Sequence, residues 1–270
     1  KICGDYYTII TDPDSDSTVM VLSDGLGSGV KANILATLTA EMLSIMIARK
    51  VNIRTAVKAV ADTLPVCSVR NLAYATFTVM VAEENEICLL QYDNPDVILL
   101  RNGKNVEYCR DILMFGEKEI HQSCFQFREG DMLIFMSDGV TNAGMGKTTY
   151  AGWGREEVVE FCEQHYRDGM SAQEMSSAIA DAGLALNLDE TDDDLTVLTV
   201  AAMKKNIVNI MVGPPADRED DRSYFETFFQ KEGMHVVCGG TTAKLVADYL
   251  QTEVVGLPDS GTEEVPAMSE

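Results

Sequence analysis

Residues 2–10 and the apolar run 18–23 look like two strands, joined by the turn-forming segment TDPDSDS. From Ser28 to about Lys50 the pattern becomes helical. Ile34, Leu35, Leu38, Met42, Ile45 and Met46 recur at helical spacing, which predicts a long helix with this stripe against a core. A second helix is predicted from about Ile53 to Leu64, stopped by Pro65. The pattern then turns to β type in LAYATFTVMVAE, EICLLQYD and DVILLRNG, bounded by the turn signals EEN, DNP and NGK. KEIHQSCFQFR and DMLIFMSD continue it across a tight REGD turn. Helical patterns follow near 154–166 and 171–187, the second with Ser171 and Glu174 at capping-box spacing. The strand DLTVLTVAAM closes the series.

Strand pair, helix pair, meander, helix pair, strand is not the regular alternation of a doubly wound sheet. It predicts an α+β domain over residues 1–204, with antiparallel sheets and helices packed outside them. After Lys204 the character changes. NIVNIMVGPP reads as a strand entering a turn, SYFETFFQKEG as a helix, and MHVVCGGTTAKLVADYL as strand, glycine turn and helix. These make a small α/β unit over 205–257, followed by a tail, 258–270, of disordered composition. Its GGTT places Gly239, Gly240, Thr241 and Thr242 at a helix start, where free backbone N–H groups can hold an anion. A plain glycine turn with a threonine cap is the other reading.

Composition narrows the function classes. With 43 acidic against 21 basic residues the net charge is −22, which argues against nucleic acid and against an anionic lipid surface as partners. No run of about 18 apolar residues suggests a membrane span. The seven cysteines, Cys3, Cys67, Cys88, Cys109, Cys124, Cys162 and Cys238, contain no C-x-x-C pair. They predict neither a zinc site nor a disulfide framework, and most read as buried free thiols of a reducing, cytoplasmic compartment. Three dispersed histidines make a histidine-based metal site or triad a poor expectation. The chain opens at Lys1, inside what reads as a strand, so a truncated N-terminus is expected.

Two apolar strands end in Asp-Gly: VLSDGLGSG at Asp24 and Gly25, and LIFMSDGVTNAG at Asp138 and Gly139. Glycine lets the chain turn sharply and leaves the main-chain carbonyl open. Hard divalent cations take carboxylate, carbonyl and water oxygens, so Asp24, the Gly25 carbonyl and Asp138 are candidate ligands. Asp5 in CGDYY and Asp193 and Asp194 in TDDDLTVLTV also adjoin strands. If those four strands are neighbours, their acids gather at one edge, and a cation relieves the repulsion.

GDYY, SDGLGSG, DNPDVILLRNG, REGDMLIFMSDGVTNA and DDDLTVLTV stand in an order that resembles the SpoIIE- and RsbU-like serine/threonine phosphatases of the metal-dependent (PPM, type 2C) superfamily. The resemblance covers about residues 1–204. It implies an antiparallel β-sandwich flanked by helix pairs, and a centre of two Mn²⁺ or Mg²⁺ ions held by Asp5, Asp24, the Gly25 carbonyl, Asp138 and Asp193. Asp24 would bridge both ions, with Asp194 an outer neighbour. It implies hydrolysis of phosphoserine or phosphothreonine on a protein by a metal-bound water, through Asp24 and Asp138 and with no side-chain nucleophile. Where eukaryotic relatives carry a histidine two residues after the bridging aspartate, this chain has Leu26, and no phosphate-binding arginine stands near the first strand. The expected substrate is a bacterial signalling phosphoprotein of the anti-sigma-factor antagonist type. A homodimer or an upstream regulatory domain is a further implied partner, acting through the helices after SDGLGSG. The alternatives are a catalytically weak regulatory or binding module that keeps the fold, and a metal-dependent nuclease, which the charge disfavours.

Overall fold

The computed structural model describes residues 2–12, 15, 17–27, 29–63, 75–115, 118–190, 193–204 and 206–256. The expectations for Pro65, Cys67 and the 258–270 tail fall outside these residues. The chain forms two compact units, residues 1–203 and 204–270.

In the first unit, β1 (Asp5–Asp12), β2 (Ser17–Gly25), β3 (Ala75–Glu83), β4 (Glu86–Tyr92), β7 (Asp111–Phe115) and β8 (Lys118–Gln126) form one sheet. Its order is β1-β2-β3-β4-β8-β7, with every pairing antiparallel. β5 (Ile98–Arg101), β6 (Lys104–Asn105), β9 (Asp131–Met136) and β10 (Val197–Ala201) form a second antiparallel sheet, ordered β10-β9-β5-β6. Alternation along each strand divides the apolar side chains between two faces. Met20, Leu22, Met80, Ile87 and Leu89 of the first sheet meet Leu99, Leu133 and Phe135 of the second, and this is the layer between the sheets.

The outer faces carry helices. Val19, Val21, Val79 and Leu90 pack under α1 (Val30–Ala48) and α2 (Ile53–Thr63), while Ile98, Leu100 and Ile134 pack under α4 (Arg155–His165) and α5 (Ala172–Leu186). A short α3 (Asp138–Thr141) follows β9 directly. The buried Asp131 of the REGD turn holds Arg101 through two hydrogen bonds of 2.8 Å, fastening the neighbouring β5.

Two expectations are corrected. The stripe assigned to the core of α1 lies largely outside, with Ile34, Leu38, Met42 and Ile45 between 38% and 52% exposed. Ala32, Ala36, Ala40 and Leu43 face the sheet instead, because only small side chains let this helix lie close over β1–β3. Val30–Ala48 is also long and apolar enough to cross a membrane by length and composition alone, at a mean hydropathy of 1.4. The cysteine reading changes too. Cys88 and Cys124 stand opposite each other in the β4–β8 ladder and form a disulfide, with Cα atoms 4.2 Å apart. Of the free cysteines described, Cys162 is buried, whereas Cys3, Cys109 and Cys238 are exposed. A separation of 36 residues, with β5 to β7 between, hides that pairing from any spacing rule.

In the second unit, β11 (Val208–Val212) and β12 (Met234–Cys238) pair in parallel, linked through a short 3-10 turn and α6 (Asp221–Phe229), and α7 (Gly240–Leu250) follows β12. Met211, Phe225, Phe228 and Val246 form its core.

Candidate metal centre

The two Asp-Gly sites end strands in different sheets, and the sheets bring them together. Asp5 and Asp24 are direct partners in the β1–β2 ladder, so their side chains share a face. Leu22, two residues before Asp24, lies in the layer between the sheets, which puts both carboxyls on the inner face. On the opposing sheet, Ser137 and Asp138 directly follow β9 and Thr196 precedes β10. Thr196 Oγ1 donates to Asp5 Oδ2 at 2.6 Å, closing the gap between first and last strands. The Gly4 amide donates to Asp194 Oδ2 at 2.6 Å, and the Gly25 amide to the Gly4 carbonyl at 3.2 Å.

Glycines allow the close approach. A Cβ on Gly25 would lie 2.1 Å from the Ala32 carbonyl oxygen at the start of α1, and one on Gly139 would lie 2.1 Å from the Asp194 carbonyl oxygen. Ser137 ties β9 to the last strand, since its hydroxyl accepts from the Thr196 amide at 3.1 Å and its own amide donates to the Thr196 carbonyl at 3.1 Å.

The electrostatics describe a crowded row of acids. Burial, then the charges of Asp5 and Asp138, push the Asp24 carboxyl up to about 9, and its hydrogen bonds with both of those acids act in the same direction. Burial raises Asp5 as well, against hydrogen bonds from Thr196, Ser137 and Asp24 that favour its charged form. Asp138 is raised by burial and by Asp193, against hydrogen bonds from Asp24 and the Gly139 amide. Burial moves the nearby Cys3 thiol up, and the charges of Asp5, Asp194 and Asp24 add to it. Asp24 is thus the middle member, touching Asp5 on one side and Asp138 on the other, with Asp193 beyond.

Among the described residues, the three metal-ligating side chains whose donor atoms all lie within 4.8 Å of one another are Glu86, Cys88 and Cys124, where the sulfurs are bonded to each other. The aspartates do not converge on one such point; they form a line about Asp24. Asp5 is buried, Asp24, Asp138 and Asp194 are half-buried, and Asp193 is exposed. Asp193 Oδ1 accepts from the Asp194 amide at 2.9 Å. Sequence reasoning missed Ser137 and Thr196 as supports, although both stand inside the quoted motifs, as the Ser of REGDMLIFMSDGVTNA and the first Thr of DDDLTVLTV.

Set against known proteins, residues 14–202 match the family model described as Stage II sporulation protein E (SpoIIE). Stage II sporulation protein E of Priestia megaterium is 22% identical over 209 residues, which is 76% of this chain and 34% of that protein. The chain therefore spans about a third of that relative's length. The PP2C phosphatase domain of SpoIIE from Bacillus subtilis, with a fragment of its regulatory domain, superposes with a TM-score of 0.58 at 17% identity, over 74% of this chain and 58% of that one. The RsbU and RsbW domains of Rv1364c from Mycobacterium tuberculosis give 0.56 at 19% identity, over 73% and 56%. RsbX in complex with magnesium gives 0.51 at 16% identity, over 74% and 87%. At these identities the structural likeness is one of fold.

Proposed function

The chain belongs to the SpoIIE family of PP2C-type phosphatases, and from that premise we propose that it is a metal-dependent serine/threonine protein phosphatase that hydrolyses phosphoserine or phosphothreonine on a protein substrate. The observation that supports this best is the placing of Asp24 between Asp5 and Asp138, with its carboxyl pushed up to about 9. Buried carboxylates in contact are costly in their charged forms, and a hard cation is the partner that stabilises them. The donor set fits Mn²⁺ or Mg²⁺, all of it oxygen: Asp5, Asp24, the Gly25 carbonyl, Asp138 and Asp193. Two ions suit a line of acids with a central bridging member, and RsbX, of like fold, is described in complex with magnesium.

When bound, such ions supply an activated water and offset the charge of the phosphoryl oxygens. The chain's own residues do the positioning. Thr196 fixes the Asp5 carboxyl by its 2.6 Å hydrogen bond, and the Gly139 amide fixes Asp138. Asp24 joins the two halves of the site. Leu26, half-buried two residues on, offers no proton to the leaving group. That proton comes from solvent or from the substrate's surroundings, and turnover is modest, since a positioned general acid contributes roughly 10²- to 10⁴-fold. The proposed setting is cytoplasmic bacterial signalling, with a phosphorylated antagonist of an anti-sigma factor as the type of substrate. An upstream regulatory domain or a second copy is the proposed control.

Hydrolysis of p-nitrophenyl phosphate and of a phosphoserine peptide with Mn²⁺ tests this, comparing the parent with Asp24→Ala and Asp138→Asn. A loss of at least about a hundredfold is expected in both variants, because charge stabilisation by a cation is worth several kcal/mol. Equal rates in the three proteins remove the catalytic reading. Metal-dependent capture of a phosphoprotein without turnover would favour the weak binding module.

A further inference from the structure

Phosphoester hydrolysis has no use for the Cys88–Cys124 pair, which stands among groups suited to holding a metal. The two residues are direct partners in the β4–β8 ladder, with Cα atoms 4.2 Å apart, the close spacing of a non-hydrogen-bonded antiparallel pair. Leu90, two residues beyond Cys88, and Ile120, four before Cys124, are buried in the cluster under α1 and α2, so both cysteines lie on that face of the sheet. Cys88 is nevertheless half-buried and Cys124 exposed, which leaves the sulfurs open to a reductant and to an ion. Glu86 shares the face, two residues before Cys88, and a carboxylate oxygen of Glu86 and the two sulfurs all lie within 4.8 Å of one another.

Gln122 belongs to the same surroundings. Its Oε1 accepts from the Arg54 guanidinium at 3.0 Å, and its Nε2 lies 3.9 Å from the Cys124 sulfur. An N–H donor beside sulfur favours the thiolate over the thiol. An accessible disulfide between neighbouring strands is open to exchange with a cellular thiol. In that exchange two thiols of the glutathione class become their own disulfide, while Cys88 and Cys124 take up the two electrons and two protons. Side chains opposite each other on a ladder have Cβ atoms about 4.5–5.5 Å apart. The freed sulfurs can therefore rotate to about 3.8 Å from one another, the separation of two ligands on a tetrahedral zinc ion with Zn–S of about 2.3 Å.

We propose that the reduced chain binds one thiophilic divalent ion of the Zn²⁺ class through the Cys88 and Cys124 thiolates and the Glu86 carboxylate. Binding expels the two thiol protons, and water fills the fourth position. Oxidation by a small disulfide reverses the exchange and releases the ion. Ligand chemistry separates this site from the aspartates of the first and last strands, since thiolates select Zn²⁺ where an all-oxygen set selects Mg²⁺ or Mn²⁺. The site is independent of whether the chain hydrolyses a phosphoester.

The test uses the full chain with excess Mg²⁺ present to occupy the aspartates. Co²⁺, titrated into the reduced protein, should give a saturable thiolate-to-cobalt charge-transfer band at one equivalent, displaced by Zn²⁺ and absent from the oxidised protein. Cys88→Ser and Cys124→Ser should each abolish the band, Glu86→Gln should weaken binding at least about tenfold, and Cys238→Ser should leave it unchanged. A second measurement needs no variant. One equivalent of Zn²⁺ should slow alkylation of Cys88 and Cys124 in the reduced parent, read by peptide mass mapping, and leave Cys109 and Cys238 at their original rates. Absence of the band, its survival in both cysteine variants, unchanged affinity in Glu86→Gln, or equal alkylation of all four cysteines with and without Zn²⁺ overturns the proposal.

Discussion

At Asp24 the competition between charge and burial has a measurable sign. Its carboxyl is pushed from the usual 3.8 up to about 9 in the folded protein, so the native state holds this proton more tightly than the unfolded chain does. The resulting stability is fully present below about pH 4 and is lost as pH rises toward about 9. Asp5 and Asp138 are moved in the same direction. With metal chelated, the parent should lose thermal stability relative to Asp24→Asn between about pH 5 and about pH 8. Mn²⁺ should restore it in the parent alone, as read by melting curves at each pH. Gly25→Ala probes the same corner sterically. Its Cβ would stand 2.1 Å from the Ala32 carbonyl, so α1 must shift; the expected cost is about 1–3 kcal/mol by urea denaturation, together with loss of turnover. The acids themselves were legible in the sequence, because a carboxylate beside glycine at the end of an apolar run is an unusual place for a charge. Thr196 was not, because its role exists only once the register of β10 sets its hydroxyl against Asp5.

Elements with their own punctuation could be read directly. The Ser171 hydroxyl accepts from the Glu174 amide at 3.2 Å, and Glu174 Oε2 accepts from the Ser171 amide at 2.8 Å, which is the capping box that the spacing predicts. Ser171→Ala should cost about 1 kcal/mol in urea unfolding, with turnover unchanged. Helix α1 shows where a period stops being informative. It is apolar on both sides, alanine toward the sheet and Ile34, Leu38, Met42 and Ile45 toward the outside, so periodicity finds the helix without choosing its buried face. Strand β7 escaped prediction for a related reason. It is an edge strand whose Ile112 and Met114 are each 60% exposed, and its sequence carries no in-out alternation tied to a core.

At the scale of the molecule, the order of strands and helices was enough to predict antiparallel sheets between helix pairs. Which strands would be neighbours was not, since β2 and β9 reach the site from separate sheets and no local signal pairs them. All five candidate ligands, and Thr196 and Ser137 with them, lie in residues 1–203. A chain ending at Met203 should therefore keep the Mn²⁺-dependent hydrolysis of p-nitrophenyl phosphate within about twofold, an outcome that steady-state kinetics on the truncated and full chains would check. The hydrogen bond from Thr196 to Asp5 spans 191 residues. During synthesis, then, a nascent chain exposes Asp5 and Asp24 early and lacks Asp193 and Thr196 until the final strand has left the ribosome. On the proposed reading, metal capture is a late event in the life of the polypeptide, and a chain stalled before that strand emerges has only half of its site in place.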